Sequence, residues 1–424
     1  MEKIIFHIDV NSAFLSWTAA YRVRVLGETS DLRDIPSAVA GDREKRHGII
    51  LAKSLPAKKY GVKTGEPIFQ AQQKCPELLL VPPDYALYVQ ASRHLIALLK
   101  QIAPVVEQYS IDEAWADMSG TEGLYGSPVA AAEMLRQKIS DELGFTVNIG
   151  VSSNKLLAKM AGDFEKPDKV HTLFPWELEK KLWPLPVREL FMLGPATEKK
   201  LKLIGIYTIG QLAKADPQIL YQRLGKPGVS LWNSANGRYS DTLQANPEPN
   251  KGYGNSVTLP SDVTEASQAY RILLSLCETV GMRMRQDGKA ARCISVSLRD
   301  KEFHTFSHQR TLPVATDGTE ELFRIACLIF DEAWDGKAPL RQLGVQASRV
   351  EERGQRQYSL FDIACAGDYE KKAKLDNVID DLRQKHGEGV IRRARFLGAE
   401  TVLAGGLSKE RRTGVTKPVG NGFD

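Results

Sequence analysis

The chain has 424 residues, 42% hydrophobic and 26% charged, with 57 basic against 52 acidic side chains. That length exceeds one ordinary core and implies about two to four domains, while the balance excludes wholesale disorder. No apolar run approaches membrane-span length, the N-terminus shows no signal-peptide pattern, and five scattered cysteines (Cys75, Cys277, Cys293, Cys327, Cys365) have no metal-ligand spacing. They read as reduced thiols, and a cytoplasmic location is expected.

Charge is unevenly placed. Residues 1–165 hold 18 Lys+Arg against 20 Asp+Glu, and residues 166–424 hold 39 against 32. The first part suits cations and the second a polyanion.

Lys3–Ile8 is a short apolar run consistent with a buried strand. It ends in Asp9-Val10-Asn11-Ser12, and a helical pattern follows (Phe14, Leu15, Thr18, Tyr21, Val25) with Asn11 or Ser12 as its cap. Ser37–Ala40 and Gly48–Ala52 are further strands, separated by the charged turn Asp42–Arg46. Ser54 starts a short helix that Gly61 ends. Lys53, Lys58, Lys59 and Lys63 cluster without an intervening acid. They form either a solvated basic face or, if the segment folds over Asp9, a triphosphate cradle.

Residues 84–103 read as a helix ended by Pro104. The following stretch alternates: Val106, Gln108, Ser110 and Asp112 on one face, Glu107, Tyr109, Ile111, Glu113 and Trp115 on the other. Asp112-Glu113 is an adjacent carboxylate pair in an aromatic-rich extended run, costly unless cations compensate it. Residues 128–143 form a helix, 145–151 a strand, and 153–161 a helix with Ser153 as a plausible cap. Lys155 in its first turn is placed to reach a phosphate. The order β-α-β-β-α-β is the split βαβ arrangement, with a helical insertion at about 50–100. If Asp9 lies beside Asp112 and Glu113, three carboxylates converge and need divalent cations. Mg²⁺ fits such a set, and in-line phosphoryl displacement is the matching reaction.

Residues 175–237 are rich in short helices. Gly194 and Gly205 mark turns that fit a helix-hairpin-helix, whose backbone N–H groups bind phosphate, or an ordinary αα-hairpin. Residues 239–250 are polar, with two prolines, and read as a linker. Beyond it, strand, helix 265–286, strands 292–299 and 303–312, helix 318–334 and strand 341–350 repeat the β-α-β-β-α-β order. Residues 251–312 carry nine basic and six acidic side chains and no comparable acid set, so this unit reads as binding rather than catalytic. After a charged stretch, Gln357-Tyr358-Ser359-Leu360-Phe361 is a docked strand or a linear motif for a partner's apolar pocket. A charged helix over 369–386 follows, and the last dozen residues read as disordered.

Taken together these residues resemble the Y-family DNA polymerases of the DinB/UmuC type, over roughly 1–350 plus 357–361. Tyr109-Ser110-Ile111-Asp112-Glu113-Ala114 is similar to the family's Ser-Ile-Asp-Glu-Ala signature. Ile8-Asp9-Val10-Asn11-Ser12-Ala13-Phe14 resembles its opening Asp motif. Val151–Ala161 resembles its Ser-x-Asn-Lys-x-x-Ala-Lys segment, and Ala57–Gly65 its fingers segment.

The resemblance implies an α+β multidomain fold. Residues 1–19 and 75–165 would be a ferredoxin-like palm, 20–74 small fingers, 166–238 a helix-hairpin-helix thumb and 251–350 a little finger, with a tail over 351–424. Asp9, Asp112, Glu113 and the Val10 carbonyl would hold two Mg²⁺ ions. Asn11, Ser12, Ala13, Lys58 and Lys155 would line the dNTP, and Phe14 would be the steric gate against a ribose 2′-OH. Gly194, Gly205, Lys251 and Arg299 would contact primer-template DNA. Gln357, Leu360 and Phe361 would bind a sliding clamp, and the need for an accessory subunit stays open. The activity implied is low-fidelity, template-directed synthesis past damaged bases.

Departures are Ala13, where the family often has an aromatic, Leu55 and Lys58, where many members have Tyr and Arg, and Asn11, which favours the UmuC-like branch. The rival readings are a nucleotidyl cyclase on a palm-like fold and a catalytically inactive DNA- and clamp-binding scaffold.

Overall fold

The computed structural model describes residues 3–42, 48–239, 242–245, 249–354, 366–387 and 389–396. The peptide at 357–361 lies outside them. Two compact units separate, one built on Met1–Gly41 and Ile49–Pro247, the other on Glu248–Arg412.

The first unit begins with β1 (Ile5–Val10), buried along its whole length. It continues through α1 (Ala13–Arg24), β2 (Ser37–Ala40), β3 (Ile50–Lys53), α2 (Leu55–Lys59), α3 (Ile68–Lys74) and β4 (Leu79–Val81). Then come α4 (Tyr85–Ile102), β5 (Val105–Gln108), β6 (Glu113–Asp117), α5 (Glu122–Tyr125), α6 (Pro128–Leu143), β7 (Val147–Ser152), α7 (Lys155–Gly162) and β8 (Val170–Thr172). The main sheet has the order β5-β6-β1-β7-β8, and β1 pairs antiparallel with both neighbours. This is the split βαβ order extended by β8, which runs parallel to β7 and is too short to show as a strand in the sequence pattern.

One face of this sheet carries Phe6, Ile8, Val106, Ala114 and Ala116 against Leu95 and Leu99 of α4 and Leu135 and Ile139 of α6. The other face carries His7, Asp9, Glu113 and Trp115, because β1 and β6 pair His7 with Trp115 and Asp9 with Glu113. The insertion is not all helical. β2, β3 and β4 form their own three-stranded sheet, which closes beyond residue 74, while α1 runs on past residue 19.

A helical segment completes the unit, with α8 (Leu178–Lys181), α9 (Pro195–Lys202), α10 (Ile209–Lys214), α11 (Pro217–Leu224) and α12 (Lys226–Ala235). Its core includes Leu156, Leu157 and Met160 of α7. Burial of each such side chain stabilises by roughly 1.5–3 kcal/mol. Helix α7 is therefore a strut, facing the sheet on one side and the helical segment on the other.

The second unit contains β9 (Gly252–Val263), α13 (Ala266–Gln286), β10 (Lys289–Asp300), β11 (Thr305–Thr316), α14 (Thr319–Ala333), β12 (Leu340–Glu352) and α15 (Ala366–His386). Its strand order is β11-β10-β12-β9, so the element string repeats but the sheet order does not. Val257, Val296 and Leu343 pack under α13 and α14. The opposite face is polar and partly or fully exposed: Ser256 and Thr258 on β9, Ser295, Ser297 and Arg299 on β10, Ser307 and Gln309 on β11, Gln342 and Gln346 on β12. Helix α15 docks through ions: Arg285 bonds Asp380 at 2.6 Å and Asp376 at 3.3 Å. No helix among the described residues is long and apolar enough to cross a membrane.

Candidate active site

The C-terminal end of β1 brings Asp9 opposite Glu113 on β6. Directly opposed residues of an antiparallel pair have Cβ atoms about 4.5–5.5 Å apart. Strand alternation alone would send Asp112 to the other face. A turn over residues 109–112 prevents this: the N–H groups of Tyr109 and Ser110 both donate to the Glu113 carbonyl, at 3.0 and 3.2 Å. The Asp112 carbonyl accepts from Val10 N–H at 3.1 Å, and Asp112 faces the same open cavity as Asp9 and Glu113.

That cavity, about 410 Å³, is lined by Asp9–Phe14, Leu51–Leu55, Lys58, Thr64, Asp112, Glu113, Lys166 and Pro167. The small sheet and α2 thus border the cavity of the acids, and of the lysine cluster Lys53 and Lys58 line it while Lys59 and Lys63 are not among its lining residues. Lys53 donates to Thr64 Oγ1 at 3.1 Å, and burial, followed by the nearby charge of Lys58, lowers its pKa. A larger cavity of about 700 Å³ lies in the helical segment, lined by Trp183, Ile204, Ile206 and Ile219. It lacks a strand-borne acid pair.

The two opposed carboxylates differ electrostatically. Burial pushes Asp9 up from the usual carboxylate range, against the pull of Lys166, whose ammonium bonds Oδ2 at 2.5 Å. For Glu113 burial acts the same way but is outweighed. His7 Nε2 (3.2 Å) and Lys159 Nζ (2.5 Å) both bond Oε2 and hold its pKa at about 2. Lys166 is itself raised: burial opposes this, but Asp9 and Asp163 outweigh it. Ser110 Oγ bonds Oδ1 of Asp112 at 2.6 Å.

Among the described residues no three His, Cys, Asp or Glu side chains are gathered closely enough to hold a metal ion as they stand. The set expected from Asp9, Asp112 and Glu113 is thus brought to one cavity but is not drawn together. Lysines hold two of its members. The donor chemistry still fits a hard cation: the acids supply oxygen only, and the recorded bonds engage one oxygen of each.

Other expected residues fall differently. Phe14 lines the cavity and is fixed there by stacking on Tyr88, with centroids 4.5 Å apart and planes 8° from parallel. Ser12 sits in left-handed backbone at the start of α1 without a side-chain cap bond. Asn11 does not cap either; it lines the cavity, and its side chain is already engaged. Its Nδ2 donates to Asn148, and its Oδ1 accepts from Thr146 Oγ1 and Asp168 N. Lys155 lies away from the cavity lining. It bonds both oxygens of Glu107, at 2.9 and 3.0 Å, and covers the Trp115 ring. The α7 cap is Asn154, not Ser153, accepting from Leu157 N at 2.9 Å. Lys166 and Lys159 were not singled out as site residues in the sequence. The available signal was Lys155 and Lys159 one helical turn apart, facing Glu107 and Glu113 on paired strands.

Gly194 begins α9, and Gly205, at φ +80°, turns the chain between α9 and α10. A Cβ at either position meets nothing within 4 Å, so both backbones are open to a ligand. Lys251 is exposed just before β9, and Arg299 Nε donates to Thr305 Oγ1 at 2.8 Å.

Two solved structures share this fold. A Y-family DNA polymerase chimera aligns with a TM-score of 0.72 at 22% identity, over 82% of this chain and 99% of that one. DinB from Sulfolobus solfataricus aligns at 0.53 and 23%, over 81% and 98%. The fold is that of a Y-family DNA polymerase. Residues 8–163 match the impB/mucB/samB family and residues 250–360 its C-terminal domain. DNA polymerase IV of Clostridium acetobutylicum is 43% identical over 94% of this chain and 100% of its own length. DNA polymerase IV of Moorella thermoacetica is 39% identical over 88% and 93%, and DNA polymerase IV 2 of Bacillus subtilis 34% over 94% and 95%.

The chain belongs to this family of translesion polymerases and is a DNA-directed DNA polymerase. The cyclase reading falls with that. The UmuC-like branch, favoured by Asn11, gains no support from relatives that are each named DNA polymerase IV.

Proposed function

We propose that the cavity of Asp9, Asp112 and Glu113 is the nucleotidyl-transfer site, loaded with two Mg²⁺ ions and a dNTP. The observation that carries this is the opposition of Asp9 and Glu113 on neighbouring strands, with Lys53 and Lys58 across one cavity from them. When bound, the ions supply Lewis-acid activation of the primer 3′-hydroxyl and neutralise the triphosphate and departing pyrophosphate. Asp9, Asp112, Glu113 and the Val10 carbonyl would hold the ions. Lys53 and Lys58 bind the phosphates, joined by Lys166 once Asp9 releases it. The uncapped start of α1 at Ser12–Phe14 adds backbone N–H groups. Phe14, braced by Tyr88, blocks a 2′-hydroxyl.

The β1 sheet acts as palm, the small sheet as fingers, the helical segment as thumb and the second unit as little finger. An open face of hydroxyl, amide and guanidinium groups without acids suits phosphate and sugar contacts, hence tolerance of damaged templates and low fidelity. The 357–361 peptide recruits a sliding clamp, whose tethering compensates for weak duplex binding. The test is primer extension on intact and damaged templates with Mg²⁺. Glu113→Gln should abolish extension while DNA binding persists. Retention of extension would remove the site assignment, and bound but never extended DNA with the unsubstituted chain would favour the inactive scaffold.

A further inference from the structure

Two lysines reach the two opposed carboxylates, and their settings differ. Lys166 sits on a loop with its side chain 35% exposed and divides its charge between Asp9 and Asp163. Lys159 is 8% exposed and walled by aromatics: its ammonium lies 5.6 Å from the centre of the Tyr109 ring and 5.2 Å from that of Phe191. Those rings meet edge-on at 6.3 Å. His7, with no exposed surface, bonds the same Glu113 oxygen as Lys159. The seat is built from below as well. A Cβ at Gly150 would fall 1.9 Å from the Ala158 carbonyl, so only glycine lets α7 lie this close to β7.

Phe191 belongs to the turn that leads through Gly194 into α9. Its N–H points at Met160 Sδ at 3.4 Å while its ring covers Lys159. The turn is thus fastened to two successive residues of α7.

We propose that Lys159 and His7 are positioning residues that lock Glu113 through one oxygen and present the other to the cavity, and that Phe191 sets Lys159, so that the seating of the turn before α9 is read at Glu113. This rests on the proposal that Glu113 is one of the reacting carboxylates. A lysine has several rotatable bonds to order, and two aromatic walls reduce the geometries open to it. Two donors on one carboxylate oxygen fix its rotation, which a loop lysine such as Lys166 does not.

The experiment uses the full chain with Lys159→Met, Lys159→Arg, Phe191→Leu and Glu113→Gln. Single-turnover extension separates the maximal rate from apparent dNTP affinity. Mn²⁺ affinity is read by electron paramagnetic resonance on a dideoxy-terminated primer-template, where no turnover occurs. For Lys159→Met the expected result is a maximal rate about 10- to 100-fold lower and weaker Mn²⁺ binding, with dNTP and DNA affinity within about threefold. Lys159→Arg should recover most of the rate, and Phe191→Leu should show a smaller loss of the same kind. Equal rates for Lys159→Met and the unsubstituted chain, or a loss confined to DNA affinity, would overturn the inference. If Lys159→Met does not fold, Phe191→Leu decides on the same readouts. An active Glu113→Gln would instead bring down the underlying site assignment, whatever Lys159 does.

Discussion

The two larger sheets of this protein are built from the same string of elements, β-α-β-β-α-β, yet one carries the acids and the other an open polar face. The strand order accounts for the difference. In the first sheet the opening strand β1 is central, with β6 on one side and β7 on the other. In the second the opening strand β9 is an edge, and its one partner is β12. A carboxylate near the end of β1 therefore has a neighbour on each side and meets Glu113. The second sheet instead aligns rows such as Ser256, Gly344 and Ser297, or Thr258, Gln342 and Arg299. Those rows hold hydroxyl, amide and guanidinium groups and no acid, a surface suited to phosphate. One element string thus serves two chemistries, and strand order decides which side chains meet.

The largest test of this contrast is Asp112→Ala. Extension should fall by at least about 10³-fold, near 4 kcal/mol of transition-state stabilisation, with DNA affinity nearly unchanged. Primer-extension rates and fluorescence anisotropy measure the two halves. A comparable loss of extension from a substitution on the open face of the second sheet would dissolve the division of labour.

Next is Gly150→Ala, which probes the covered face of the first sheet. The added methyl collides with the Ala158 carbonyl and the Gly162 N–H, both backbone, so α7 must shift. A loss of about 1–3 kcal/mol in stability is expected from thermal or denaturant unfolding. The second sheet has a crowded glycine too, Gly344, but the nearest atom there is the Ser297 hydroxyl, which can rotate. Gly344→Ala should cost less, and equal costs would mean that helix cover is not what makes Gly150 obligatory.

How much of this was legible in the sequence follows from the same geometry. Element order and most boundaries could be read because periodicity is local: α6 runs Pro128–Leu143 with Ser127 as cap and Gly144 in left-handed backbone. The three acids and Lys58 could be gathered because each stands at a strand end or in a cluster of like charge. What periodicity cannot supply is partners. Asn11 looked like a ligand-facing polar residue after a strand, but Asn148, Thr146 and Asp168 satisfy it. Lys155 looked like a phosphate contact in a first helical turn, but Glu107 lies across the paired strand from Trp115, beneath it. Lys166 gave no sign because its approach to Asp9 depends on a loop path. The strand order of the second unit was equally hidden, since both orders fit one string.

Phe14→Ala sharpens the cavity itself. Removing a ring stacked on Tyr88 should raise ribonucleotide incorporation about 10- to 100-fold relative to dNTP, a steric discrimination of roughly 1–3 kcal/mol. Competing dNTP and rNTP in single-nucleotide extension measures it, and an unchanged ratio would move the gate elsewhere.

The smallest effect expected is at Arg299, and it bears on the open face alone. Arg299 lies at the end of the row with Gln342 and Thr258, its Nε held by Thr305 Oγ1 and its plane 6.0 Å from the Phe303 ring centre. Phe303 occupies left-handed backbone at φ +70°, which for a bulky residue is unfavourable, and it stands 60% exposed under both Arg299 and Arg341. A guanidinium fixed by a hydroxyl and a ring, with no acid in its row, is preset for a phosphate. Arg299→Ala should weaken duplex binding only a few-fold, equally for all sequences, and reduce the slope of log affinity against log salt by about one. It should leave the maximal extension rate at saturating DNA unchanged. A change in that rate, or a sequence-dependent loss of affinity, would show that the second sheet does more than hold the backbone.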